Sequence, residues 1–393
     1  MFRKIIAKYL LGGLFLLFVL SDFISKAGMH YNNPLIHTSQ IVKGLFEFLA
    51  VVYIIKNVSF KDRFLYIGVV LLIFFHSVGL FFLNTDFDYW INLKSNFYII
   101  NWYLFIFLLY LAYRSFTRQP SFNLETSYLF LKQCFTGYFY VNLIAALAGF
   151  FVGYQLFSAY QIDTRFGFNG LIRNVTHASY IIIIYIIYFY YQYKETPSKT
   201  NLYHLLFSVL FVFLLATKAT LLFLALFVAF LVFQKSKKLF GLTLLAFVFA
   251  PFLLKDYLLN DLLPNHFGVL SKVYQKDGLI AMLTSLRSEQ FKGLFIPYVT
   301  EKWTVLNYFF GGFDNSLRKI EFEIIDLLLT FGCIGTILYL LLFFKYIFPF
   351  HLIKSRFLIV FLFTVVFLAG SFFSSVPVMT VFFVFYILSL KRF

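Results

Sequence analysis

Where the chain reads Glu321-Phe-Glu323-Ile-Ile-Asp326 ahead of a long apolar run, carboxylates stand at the point where a polar stretch returns to a greasy one. A carboxylate fixed at such a boundary can act as a general base toward a hydroxyl. At about 100° per residue, Glu321 falls on the stripe of Gly332 and Gly335, the small residues that mark the packing side of a membrane helix. If the helix already includes residue 321, Glu321 points into the bundle at its mouth and Glu323, about 200° away, points elsewhere and ranks second. A second reading stays open, in which these acids simply favour a helix N-terminus.

The complementary groups are cations. Arg165 and Arg173 flank Gly167 and Gly170, so their guanidinium groups can approach a diphosphate closely and bind it bidentately; an ordinary solvated loop is the other reading. Lys218 stands between two apolar runs of about fifteen residues, either as a recessed cation awaiting an anion or as a turn residue that snorkels to water. Arg287, His266 and Arg318 are candidates by location in one long polar stretch. Lys43 and Glu47, four apart, are expected to pair structurally. Asp86 and Asp88 have a spacing seen in metal-sugar sites, but so short a pattern arises readily by chance. No Walker, dinucleotide or HExxH motif occurs.

These residues have to be positioned by a 393-residue chain that is 61% hydrophobic and 13% charged, with 60 Phe and 28 Tyr. A soluble domain carries about a quarter charged residues, so this chain cannot cover a water-facing surface and reads as a membrane protein. Cys134 and Cys333 sit inside apolar runs, which excludes a disulfide-stapled or cysteine-zinc scaffold, and the scattered histidines offer no metal-ligand spacing. No metal and no cofactor is expected.

Twelve apolar windows are long enough for a hydrocarbon core about 30 Å thick: residues 9–24, 37–55, 64–84, 97–113, 128–156, 175–193, 202–216, 219–233, 239–255, 324–344, 357–371 and 376–390. The first lacks a small-residue cleavage pattern and is expected to be a retained span. With the N-terminus inside, the cytoplasmic segments carry eighteen Lys and Arg and the short outer ones five, which orients both termini inward. The formal charge of +16 is then mostly topogenic, and nucleic acid is not needed as a partner. The fold expected is an all-α polytopic integral membrane bundle of about 12 transmembrane helices, N-in and C-in. It forms a single domain over 1–393, with one long periplasmic segment, 256–323, between spans nine and ten. That segment includes an amphipathic stretch from Gly278 through Phe295, suited to a helix lying in the membrane interface.

Taken in order, Arg165-x-Gly167, the turn Thr217-Lys218-Ala219, Arg287 in the long segment and Gly332-x-x-Gly335-Thr336 resemble the O-antigen polymerase and ligase family of bacterial envelope glycosyltransferases. The resemblance covers mainly residues 160–340. It departs from the ligase pattern, because Glu321-Phe322 stands where ligases carry His-Asn, and from the usual arginine, because Lys218 occupies that turn. The resemblance implies a metal-independent inverting transfer at the periplasmic face of the bacterial inner membrane. A polyprenyl-diphosphate-linked oligosaccharide would pass to the hydroxyl of another lipid-linked repeat. Arg165, Arg173, Lys218 and Arg287 would hold the diphosphate, and Glu321 would take the proton. The implied partners are polyprenyl-diphosphate-linked oligosaccharides, membrane lipids, and a chain-length regulator and flippase of the same pathway. The alternatives are an O-antigen ligase that attaches glycan to lipid A core and, third, a lipid-linked oligosaccharide flippase or transporter.

Overall fold

A computed structural model of the chain describes residues 2–84, 89–119, 124–160, 165–238, 268–313, 320–348 and 356–390. Their regular structure is helical, apart from one antiparallel bridge between Ser158 and Phe168. The helices are α1 (Phe2–His30), α2 (Thr38–Lys56), α3 (Arg63–Phe81), α4 (Tyr89–Trp102), α5 (Phe105–Thr117), α6 (Leu124–Val152), α7 (Val175–Glu195), α8 (Lys199–Leu215) and α9 (Lys218–Lys235). After the long connection come α10 (Gly268–Thr284), α11 (Arg287–Gln290), α12 (Ile296–Lys302), α13 (Val305–Phe310), α14 (Glu323–Leu342), α15 (Arg356–Ala369) and α16 (Val376–Leu390).

Six helices are long and apolar enough to cross a membrane, or seven spans if α4 and α5, bent by 58° at their junction, count as one. These cover seven of the twelve apolar windows. Windows 202–216, 357–371 and 376–390 form shorter apolar helices, 175–193 forms α7, and 239–255 lies outside the described residues.

Helices that are apolar all round must be buried, and α7 and α16 behave so: nearly every side chain from Ala178 to Tyr190 and from Val376 to Leu388 is buried. The fifteen residues of α16 reach only about 22 Å at 1.5 Å per residue; packed within the bundle, it has no lipid to span alone. At the periphery, α2 presents Ile41, Leu45, Phe48 and Leu49 outward, and α3 presents Phe64, Ile67 and Phe74. Apolar faces of this extent mark a membrane-embedded protein.

One end of the bundle, the rim, is sewn together by polar contacts. Lys26 of α1, only 1% exposed, donates to Asn169 Oδ1 and to the Gly170 carbonyl, each at 2.6 Å. Asn142 of α6 accepts the Leu171 N–H at 2.6 Å, and the Phe168 N–H meets the Leu214 carbonyl at the end of α8. Asn174, Ser198 and Thr217 cap α7, α8 and α9 by accepting backbone N–H groups of the first turn.

Helix α14 is broken. Gly332 has φ 66, a left-handed conformation that favours glycine, and its backbone rests directly against Gly311 and Phe309. The break frees carbonyls that an unbroken helix would satisfy, and within an apolar bundle these are costly. Gly312 N–H bonds the Leu329 carbonyl at 3.0 Å, and His76 Nδ1–H donates to the Thr330 carbonyl at 2.7 Å.

The stretch expected to be one amphipathic helix from Gly278 through Phe295 is interrupted. Gly278 is non-helical, and Ser285 and Leu286 both have positive φ, so the chain turns there before α11 begins. Two consecutive left-handed non-glycine residues carry strain of order 1–3 kcal/mol each, a cost that periodicity does not register.

Candidate functional site

The turn at Ser285–Leu286 places Arg287 at the rim. Its Nη2 lies 3.2 Å from Glu321 Oε2, with Arg287 15% exposed and Glu321 44% exposed. The Arg287 Nε is buried and has no hydrogen-bond partner among the described residues. A buried donor left without an acceptor costs about 1–3 kcal/mol, so this face of the guanidinium is suited to an incoming anion.

Lys218 is the first residue of α9 and follows a hairpin in which Ala216 adopts φ 49 and Thr217 caps the helix. The Thr217 hydroxyl lies 2.7 Å from that of Ser179, tying the hairpin to α7. The ammonium of Lys218 donates to the Met282 carbonyl and, at 3.0 Å, to Ser285 Oγ. Lys218, although exposed, therefore does not hang free: it fastens the hairpin to the turn that presents Arg287. Arg165 and Arg287 both act on the charge of Lys218, so three cations share this corner with the partly exposed Glu321. Arg165 is exposed, with its guanidinium 5.6 Å from the centre of the Tyr160 ring.

Glu321 precedes α14, which begins at Glu323, and has φ 64. The helical phase expected for Glu321 therefore does not apply, and the break at Gly332 would have cut the stripe in any case. Its position comes instead from Asp326, whose two oxygens accept the N–H groups of Ile320 and Glu321, each at 3.1 Å. Gly370 packs directly on the Glu321 carbonyl. Tyr180 of α7 donates to the Gly370 carbonyl at 2.6 Å and feels the charges of Glu321, Arg287 and Glu323.

Glu323 has a different part. It is 1% exposed, and its two oxygens accept the N–H groups of Phe372 and Phe373, each at 2.8 Å. It holds the turn between α15 and α16 and is out of reach of a substrate.

Of the other expected residues, Arg173 acts on Lys43 in a separate charged group with Asp22 and Glu47. Lys43 and Glu47 form no ion pair, and Glu47 Oε1 is buried without a hydrogen-bond partner among the described residues. On a straight helix four-residue spacing permits such a pair without requiring it, and Asp22 on α1 competes for the ammonium. His266, Arg318, Asp86 and Asp88 lie outside the described residues.

No family model, curated protein or solved structure matches this chain. The chemistry has to be read from the corner itself. Among the described residues, no three His, Cys, Asp or Glu side chains gather closely enough to hold a metal ion. The arrangement offers an anion site with cationic donors and one partly exposed carboxylate beside it. Asp326 and Tyr180 are the positioning residues that sequence reasoning missed. An acid in the first turn of a helix, five residues after a candidate base, was the available signal for Asp326; no sequence signal marked Tyr180.

Proposed function

We propose that this protein is a surface-polysaccharide polymerase of the O-antigen type. It joins polyprenyl-diphosphate-linked oligosaccharide repeats by metal-independent inverting glycosyl transfer at the periplasmic face of a bacterial inner membrane. The supporting observation is convergence. Arg165, Lys218, Arg287 and Glu321 come from four separate stretches of chain, and contacts and electrostatics bring them to one corner of the rim. The full proposal has about twelve spans with both termini in the cytoplasm.

In the reaction, the acceptor hydroxyl oxygen attacks the anomeric carbon from the face opposite the diphosphate. The new glycosidic bond forms as the bond to diphosphate oxygen breaks, and that oxygen keeps the electron pair. Arg287, Arg165 and Lys218 stabilise the accumulating charge, an effect worth about 10²–10³ in rate per well-placed donor. The hydroxyl proton passes to Glu321. The ion pair has a role before the transfer: a diphosphate offers Arg287 a stronger acceptor, and its arrival releases the carboxylate to act as base.

Deleting the protein and running the cell's surface polysaccharide on a gel tests this reading. A ladder collapsed to single repeats supports it. Intact polymer left unattached to lipid A core supports ligation instead, and an unchanged, attached ladder overturns both. A flippase would need the membrane-embedded Lys43 and Glu47 and could dispense with Arg165 and Arg287.

A further inference from the structure

The end of the bundle opposite the rim carries a pair of cations that the proposed reaction does not use. Arg63 opens α3, and Lys345 lies in the wider turn Phe343–Ile347 that continues α14. Both settle on one ring. The Arg63 guanidinium is 5.1 Å and the Lys345 ammonium 5.4 Å from the centre of Phe64, and Lys345 is also 5.3 Å from the centre of Tyr346. The rings hold the two charges near each other but offer no acceptor oxygen. Among the described residues neither cation has a hydrogen-bond or ion-pair partner. Asp62, next to Arg63 in the chain, is engaged by Arg114 and Arg118 instead. Two exposed cations gathered on one ring are suited to an anion between them, which offsets their repulsion and accepts hydrogen bonds from both.

The helices that carry them specify where that anion comes from. Helices α3 and α14 run antiparallel in close contact: Gly68 has no room for a Cβ beside the Leu342 side chain, Gly335 faces Phe75, and His76 reaches the Thr330 carbonyl. On one flank of this seam the side chains are open. With Gly68 and Leu342 as the facing positions, an advance of about 100° per residue puts Phe64, Ile67 and Leu71 of α3 on the same side of the seam as Ile337 and Leu341 of α14. All five are exposed. Lys345 stands four residues after Leu341, at the foot of that flank. The seam is thus a shallow apolar furrow with the cations at its end. From Phe64 to the exposed Phe74 it runs about 15 Å at 1.5 Å per residue, half of a hydrocarbon core about 30 Å thick. That is the reach of an acyl chain in one leaflet. A free phosphate would meet the cations and leave the furrow bare, whereas a phospholipid fills both.

We propose that Arg63 and Lys345 bind the phosphate of an anionic phospholipid whose acyl chain lies along the α3–α14 seam. This site does not depend on the polymerase reading.

The test is native mass spectrometry of the purified full-length chain in neutral detergent, titrated with long-chain phosphatidylglycerol, with dihexanoyl phosphatidylglycerol and with long-chain diacylglycerol. The expected result is one long-chain phosphatidylglycerol retained, with each of the other two bound at least about tenfold more weakly. Retention should weaken at least about tenfold in the double variant Arg63→Gln/Lys345→Gln, through loss of the charge-assisted contacts. It should change less than about threefold in Lys56→Gln/Lys61→Gln, which removes two nearby exposed cations outside the furrow. Equal retention by the unaltered chain and Arg63→Gln/Lys345→Gln overturns the proposal, as does an equal loss in Lys56→Gln/Lys61→Gln, which would assign the binding to diffuse positive charge. Diacylglycerol held as well as phosphatidylglycerol overturns it without any variant, and dihexanoyl phosphatidylglycerol held as well as the long-chain form overturns the seam as the place of the acyl chain.

Discussion

Asp62 and Glu321 are both carboxylates held by arginine, and they could hardly be used more differently. Asp62 precedes α3 and is 4% exposed; Arg118 bonds one of its oxygens and Arg114 lies 3.8 Å from the other. Two guanidinium groups, four residues apart at the end of α5, close around one acid, and both carboxylate oxygens are engaged. Glu321 is nearly half exposed, meets a single arginine at 3.2 Å, and shares its corner with two further cations. In the first cluster the acid is enclosed and its oxygens are taken up by its own arginines, although Arg114 Nε is buried without a hydrogen-bond partner among the described residues. In the second the carboxylate is open on one side and two further cations stand near its arginine, an arrangement that suits the proposed binding of a diphosphate.

Substitutions at the two clusters should therefore separate transfer from stability. The largest effect is expected for Glu321→Gln: polymer formation by the purified protein falls by about 10²–10⁴, the usual worth of a general base, with the thermal midpoint unchanged. Arg287→Gln should lower transfer by about 10²–10³ and raise the concentration of lipid-linked substrate needed for half-maximal rate. A wild-type rate for either variant would remove this corner from the chemistry. Asp62→Asn should do the reverse, costing about 1–3 kcal/mol of stability, read as a lowered denaturation midpoint, and changing transfer less than threefold. The smallest change belongs to Lys218→Arg, which keeps the charge that anchors the Ser285 turn; a shift in rate of only a few-fold is expected, with Lys218→Met losing about tenfold through looser placement of Arg287.

Much of this arrangement was legible before the structure. The paired apolar runs on either side of Lys218 become the α8–α9 hairpin, and the run of isoleucine and aromatic residues over 180–190 becomes the buried centre. The grouping of Arg165, Arg173, Lys218 and Arg287 with Glu321 came from the resemblance, and of these Arg173 acts on Lys43 in a different group. What stayed hidden is what periodicity cannot carry. A regular 100° advance assumes an intact helix, and Gly332 breaks it because Gly311 approaches from far away in sequence. Glu321 owes its place to Asp326 and not to helical phase. Arg173 looks equivalent to Arg165 in the sequence; the short loop between them is stitched to α1, α6 and α8, which directs the two toward different partners.

The grip of Glu323 on Phe372 and Phe373 has a mechanical consequence for its neighbour two residues earlier. Any tug that a glycan bound as proposed would exert on residue 321 is relayed through that carboxylate toward the start of α16, nearly all of whose side chains are buried. Below the discontinuity at Gly332 the remainder of α14 is spared the load. The proposed proton acceptor is thus mounted on a well-packed foundation, while the lower half of the helix that follows it can bend independently.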